Sequence, residues 1–235
     1  MFSKSQHYYD AIYGFKNHEA EAARLRALID KHKRAPGNTL LDVACGTGAH
    51  MALLREAFEV EGLDLDEGMI RIARARNPGM VFHLADMVSF DLGRRFDVVA
   101  CLFSSVAYVA TEERLREAIA TMARHVLPGG VLIIEPYYTP GGWKPVRRVM
   151  ATFADEPALK IARIAVPERD GSLARFDFHY LVGTPDGVEH FVERHEVGLF
   201  TEEQYREAFT RLGLMVLYEA DWPTRRGLYI SVMPE

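Results

Sequence analysis

From Asn17 to Arg34 apolar side chains return at helical spacing (Ala20, Ala23, Ala27, Leu28), with Glu19 and Glu21 early and Lys31, Lys33 and Arg34 late. That charge order complements a helix dipole. Pro36-Gly37 stops the helix, and 39–44 then reads as a short buried strand whose apolar run is broken only by Asp42. Further along, the pattern predicts a helix over 49–58, a strand over 60–63, and a helix over 66–76 closed by Asn77-Pro78-Gly79. Strands over 80–84 and 97–103, a helix over 111–127 and a strand over 131–135 after Pro128-Gly129-Gly130 complete this part. Strands that alternate with helices imply right-handed crossovers and a parallel sheet covered on both faces.

The period then changes from helical to two. Over 173–182, Ala174, Phe176, Phe178, Tyr180 and Val182 share one face while Arg175, Asp177 and His179 share the other, and 159–166 and 188–199 are also strand-like. A small antiparallel sheet inserted into an α/β core follows from this change. The core resumes at Thr201-x-x-Gln204, a capping-box signature for a helix ending at Leu212-Gly213, and 214–219 with 227–233 form a closing strand pair. The expected division is therefore a core of residues 1–135 and 200–235, with residues 136–199 as the inserted sheet.

Composition narrows the class without naming a chemistry. The chain has 235 residues, 49% hydrophobic and 26% charged, with a net charge of −5, which suits one globular core and argues against a nucleic-acid partner. Neither the start of the chain nor any later run has the apolar length of a leader or membrane span, so a cytoplasmic protein with no membrane partner is expected. Cys45 and Cys101 are too few for a disulfide framework. His179, His190 and His195 match no short metal-ligand spacing, and no metal is expected.

The stretch Leu40-Leu41-Asp42-Val43-Ala44-Cys45-Gly46-Thr47-Gly48 is a strand that runs into a glycine turn opening a helix, the place where open α/β sheets bind ligands. Sixteen positions beyond Gly48, Asp64 ends the second strand, where its carboxylate can accept both hydroxyls of a ribose. The third strand ends in Asp86-Met87, suited to an adenine edge. A dinucleotide would call for a third glycine, but Met51 stands there. S-adenosylmethionine has no phosphate and asks instead for backbone groups at its ammonium and carboxylate, which the Asp42-to-Gly48 turn suits better.

With Gly62-Leu63-Asp64, Ala85-Asp86-Met87 and Leu127-Pro128-Gly129-Gly130, this turn resembles the class I S-adenosylmethionine-dependent methyltransferases. The resemblance implies a Rossmann-like, seven-stranded sheet with an antiparallel last strand, beside the inserted antiparallel sheet. It implies cofactor-binding roles for Asp42, Ala44, Leu65 and Met69 as well, with Gly46 and Gly48 near the methionine moiety, Asp64 at the ribose, Asp86 and Met87 at the adenine, and the carbonyl of Leu102 at the ammonium.

The tips after the fourth and fifth strands, with Ser104, Ser105, Tyr108, Tyr137 and Tyr138, offer hydroxyls and aromatic walls for an acceptor. Tyr9-Asp10-x-x-Tyr13, Phe103 to Tyr108, Glu135-Pro136-Tyr137-Tyr138, Gly142-Trp143, His190-Phe191 and Arg226-Gly227-Leu228 are together similar to the N,N-dimethyltransferases of dTDP-linked 3-amino-deoxysugars. That similarity implies Tyr13 and Tyr108 at the acceptor amine, His18 at the cofactor carboxylate and Arg226 at the diphosphate. Tyr137 and Tyr138 replace the family's usual paired tryptophans. The expected function is transfer of a methyl group to the amine of a small molecule, with Tyr13 and Tyr108 orienting it, and the inserted sheet acts as a lid or as a homodimer contact. An oxygen acceptor, or cofactor binding without catalysis, are the alternatives.

Overall fold

A computed structural model describes residues 4–144 and 149–235. After a helical turn at Ser5–Tyr8, the first half comprises α1 (Tyr9–Ile12), α2 (His18–His32), β1 (Thr39–Val43), α3 (Ala49–Leu54), β2 (Glu59–Asp64), α4 (Glu67–Arg76), β3 (Val81–Leu84), β4 (Phe96–Cys101), α5 (Glu112–Arg124) and β5 (Val126–Ile134). Five further strands follow, β6 (Met150–Glu156), β7 (Leu159–Ala165), β8 (Glu168–Asp170), β9 (Leu173–Thr184) and β10 (Gly187–Gly198), then α6 (Glu202–Thr210), β11 (Leu217–Glu219) and β12 (Leu228–Val232).

The α/β expectation holds. Seven strands form one sheet in the order β11-β12-β5-β4-β1-β2-β3, in which β1 to β5 are mutually parallel and β12 runs antiparallel to both neighbours. The edge strand β11 therefore points the same way as the parallel five. Side chains alternate across β4, so that Val99 and Cys101 pack with α5 and α6 while Val98 and Ala100 pack with Leu25, Ile29 and Leu54 of α2 and α3. Strand order reverses between β1 and β4, which opens a crevice at their carboxyl ends.

Local chemistry sets the boundaries. Asn17 and Asp66 accept the N–H groups of Ala20 and Met69 to cap α2 and α4, and the Thr201–Gln204 capping box is closed in both directions. The helix expected over 49–58 stops at Leu54, because Ala57 and Phe58 both turn back to the Leu54 carbonyl before β2 begins. β5 starts at Val126, five positions earlier than the pattern suggests; Val126 pairs with Phe96, and the strand then bulges through Pro128-Gly129-Gly130 until Val131 pairs with Val98.

The second sheet has the order β10-β9-β7-β6, with β8 on β9, and all of its pairs are antiparallel. β6 is missing from the sequence reading because its outward positions carry Phe153 and its inward ones Thr152 and Ala154, the reverse of an amphipathic signal. The inner face has two packing partners. Ile12 of α1 packs with Ile161, Tyr180, Val182 and Phe191, and Ala107 and Trp143 pack with Ala174, Phe176 and Val197. The insertion is thereby folded back over the strand ends of the core.

Candidate active site

A cavity of about 750 Å³ opens between the carboxyl ends of β1, β2, β3 and β4 and the inner face of the second sheet. At its core end, Ala44 and Gly46 take positive φ of 59° and 56°, and a Cβ on Gly46 would meet nothing within 4 Å, so the turn leaves open space there. Asp64 lines the cavity beside it. Its two carboxylate oxygens accept the N–H groups of Gly46 (2.8 Å) and Asp66 (2.9 Å), which fixes the group and leaves each oxygen a further lone pair. Burial raises the Asp64 pKa above the usual carboxylate value. Leu65, Met69, Asp86 and Met87 continue the same wall. Asp86 also caps the turn at Val88 (3.0 Å) and pairs with Arg114 (2.9 Å).

Four of the expected cofactor-binding residues lie off this wall. Gly48, at φ 71°, is needed for packing, because a Cβ there would stand 2.6 Å from the Asn77 amide nitrogen. The Leu102 carbonyl accepts the Ser105 N–H in a turn. His18 packs edge-on against His50, and Asp42 is buried in β1. Burial, with Asp64 nearby, pushes the Asp42 carboxyl up to about 6. Sequence reasoning missed the neighbouring group that does reach the wall: Lys16 and Glu21, 3.2 Å apart, with His50 2.7 Å from the same Glu21 oxygen. The Lys16 ammonium also sits 3.3 Å from the Phe103 ring centroid.

The floor of the cavity is tied together by Glu135, which is 1% exposed just past β5. It accepts the Phe103 N–H (2.7 Å), the Thr224 hydroxyl (2.7 Å) and the Arg226 guanidinium (2.9 Å). Phe103 and Ser104 both hold positive φ, and the Ser104 hydroxyl donates to the Pro136 carbonyl at 2.5 Å. Ser104, Ser105, Tyr108, Tyr137, Tyr138 and Arg226 all line the cavity. Arg226 reaches it paired with Glu135 through Nε and Nη2.

Tyr9 and Tyr13, from the start of the chain, close the other side, their rings 4.6 Å apart. The Tyr13 hydroxyl accepts from Arg163 (2.9 Å), and the Tyr108 hydroxyl lies 2.8 Å from His195 Nδ1. Burial raises the Tyr9 and Tyr108 phenols well above their ordinary range and takes Tyr137 up to about 12. These phenols keep their protons at neutral pH. Asp10 secures the segment by accepting from Thr47 (2.8 Å) and pairing with Arg76.

A model of the methyltransferase domain matches residues 40–130. The chain is 43% identical over 219 residues to dTDP-3-amino-3,6-dideoxy-alpha-D-glucopyranose N,N-dimethyltransferase of Streptomyces fradiae, covering 92% of this chain and 85% of that one. The chain belongs to the S-adenosylmethionine-dependent methyltransferases. Streptomyces venezuelae DesVI superposes with a TM-score of 0.92 at 36% identity over 100% of both chains. CalS10, an amino pentose methyltransferase from Micromonospora echinaspora solved with S-adenosylmethionine bound, gives 0.85 at 36% identity over 99% of this chain and 97% of its own. The methyltransferase uses S-adenosylmethionine, and its cavity fits that donor: an open glycine turn, a fixed carboxylate with spare lone pairs, and a thioether wall from Met69 and Met87.

Two outcomes follow for the methyltransferase. Replacing Glu135 with Ala leaves the Arg226 charge and two further donors without their shared acceptor, and urea unfolding is expected to show a loss of roughly 3–5 kcal/mol. Asp42 binds a proton more tightly folded than unfolded, so its stabilising effect is complete below its ordinary value and lost as pH rises through about 6. Relative to Asp42→Asn, the wild type should lose roughly 2–4 kcal/mol between about pH 4 and 7 in denaturation curves.

Proposed function

We propose that the enzyme transfers methyl groups to the amine of a dTDP-linked amino-deoxysugar in the cytoplasm, twice in succession, and that Tyr13 and Tyr108 orient the acceptor without removing its proton. The observation that carries the acceptor reading is the 43% identity to the Streptomyces fradiae amino-sugar N,N-dimethyltransferase. A cavity walled by phenols on the chain's own Tyr9, Tyr13, Tyr108 and Tyr137 supports it. Bound S-adenosylmethionine supplies a methyl group on a positive sulfur; the amine lone pair forms the N–C bond as the C–S bond breaks with its electrons going to sulfur. The nitrogen then loses its proton to solvent.

The residues assigned to the donor are Ala44, Gly46, Asp64, Leu65, Met69, Asp86 and Met87, with Asp64 holding the ribose hydroxyls. Lys16 takes the carboxylate-facing position first assigned to His18, since it reaches the wall and His18 does not. Ser104, Ser105, Tyr137 and Tyr138 border the acceptor. The inserted sheet covers the acceptor with its inner face. Its outer face carries Phe153 at 68% exposure with Ile164, Leu181 and Val192 also exposed, and we assign it to pairing with a second copy.

The acceptor reading is checked by product mass with dTDP-3-amino-3,6-dideoxyglucose, where gains of one and then two methyl groups are expected and methylation of oxygen acceptors alone would refute it. Tyr13→Phe and Tyr108→Phe should each cost about 10- to 100-fold in kcat, because a misplaced nucleophile loses about that much. The rise of rate with pH should keep its midpoint in both variants, since it reports the substrate amine; a loss beyond about a thousandfold with a changed midpoint would instead mark a general base. Phe153→Glu should sediment as a monomer where the wild type sediments as a dimer.

A further inference from the structure

The two phenols that face the acceptor are not equivalent, because their far sides meet opposite kinds of group. Arg163 enters from β7 at an inward position between Ile161 and Ala165 and is buried. Its Nη1 donates to the Tyr13 hydroxyl, and its guanidinium carbon lies 4.9 Å from the Tyr13 ring centroid and 4.7 Å from that of Phe178. A guanidinium has donors only. The Tyr13 oxygen is therefore the acceptor in that bond, and Tyr13 directs its own hydrogen elsewhere.

Tyr108 faces a different partner. His195 Nδ1 lies 2.8 Å from its hydroxyl, and on the other side of the ring Nε2 lies 3.7 Å from Glu193 Oε2. Glu193 and His195 share the inner face of β10 and are 4% and 2% exposed. Glu193 already accepts from the N–H groups of Lys4 (2.7 Å) and Ser5 (3.1 Å) and from the Ser5 hydroxyl, all of which call for an acceptor. A lone pair on Nε2 would be repelled by that carboxylate, whereas a hydrogen there is attracted. In the neutral ring a hydrogen on Nε2 leaves Nδ1 its lone pair, and Tyr108 donates to it. What Tyr108 then presents to the cavity is lone pairs alone.

We infer that Glu193 and His195 are positioning residues that fix Tyr108 as a hydrogen-bond acceptor toward the substrate amine, while Arg163 fixes Tyr13 as a donor toward a neighbouring oxygen of the same molecule. The inference rests on the amine acceptor proposed above. An amine that gives an N–H to Tyr108 keeps its lone pair clear for the new bond, whereas a phenol donor at that place would occupy the same lone pair. The site thus selects a substrate in which an amine N–H stands beside an oxygen acceptor, as in a vicinal amino alcohol.

Nitrogen-15 histidine labelling of the full chain reads the tautomer without turnover, with the His195 signals assigned by their loss in His195→Gln. Hydrogen on Nε2 and an unprotonated Nδ1 are expected at pH 8; the opposite tautomer, or hydrogen on both nitrogens, overturns the inference even if the enzyme methylates amines. Glu193→Gln offers both a donor and an acceptor to Nε2 and should give a mixture of tautomers, whereas an unchanged single tautomer overturns the role of Glu193. With dTDP-3-amino-3,6-dideoxyglucose, His195→Ala and Tyr108→Phe should each lower kcat about 10- to 100-fold with KM within about threefold, and the double variant should lose no more than either alone. Multiplying losses, or full kcat in a His195→Ala enzyme that is only less heat-stable, overturn it. Hydrogen on Nε2 in a protein that methylates no amine overturns the acceptor reading, and with it the use made of Tyr108.

Discussion

A carboxylate sealed from water must find donors wherever the chain can supply them, and Glu135 finds them on two separate segments. One is the turn after β4 and the other the connection between β11 and β12, and Glu135 joins them from the end of β5. Phe103 and Ser104 sit in the left-handed region, which costs roughly 1–3 kcal/mol per non-glycine residue and persists only where the surroundings enforce it. The Glu135 bond to the Phe103 N–H and the Ser104 bond to Pro136 are that enforcement. From this strained turn the chain enters the helical turn that carries Ser105 and Tyr108 into the cavity. The geometry of this side of the cavity thus depends on one buried ion pair as well as on the turns that line it.

Much of the core was legible because its signals are local. The glycine turn, the acids ending β2 and β3 and the cap residues each sit within a few positions of the structure they specify. The two glycines of the turn show where local reading stops: Gly46 opens onto the cavity and Gly48 packs on Asn77, a distinction set by a helix distant in sequence. The pattern makes β5 too short because proline and glycines usually end a strand, whereas here they form a bulge within one.

The residues behind the phenols left a trace that alternation alone could have found. Ile161-x-Arg163-x-Ala165 and Phe191-x-Glu193-x-His195-x-Val197 place charged or titratable groups in register with apolar neighbours, on the face that must be buried. Such a residue needs a partner inside. Which partner could not be read, since Arg163 meets Tyr13 across 150 positions and Glu193 meets Lys4 across 189.

The inserted sheet and the core strands supply different walls of one cavity, and the stretch from Tyr9 to Asn17 touches both, held to the glycine turn through Asp10 and to the sheet through Ile12. Substitutions on the inner surface of β6, β7, β9 and β10 can therefore reshape one compartment while the opposite one keeps its contours. Such a scaffold lets one module drift at no penalty to grip on the shared reagent, so long as the contacts that bridge the two are kept.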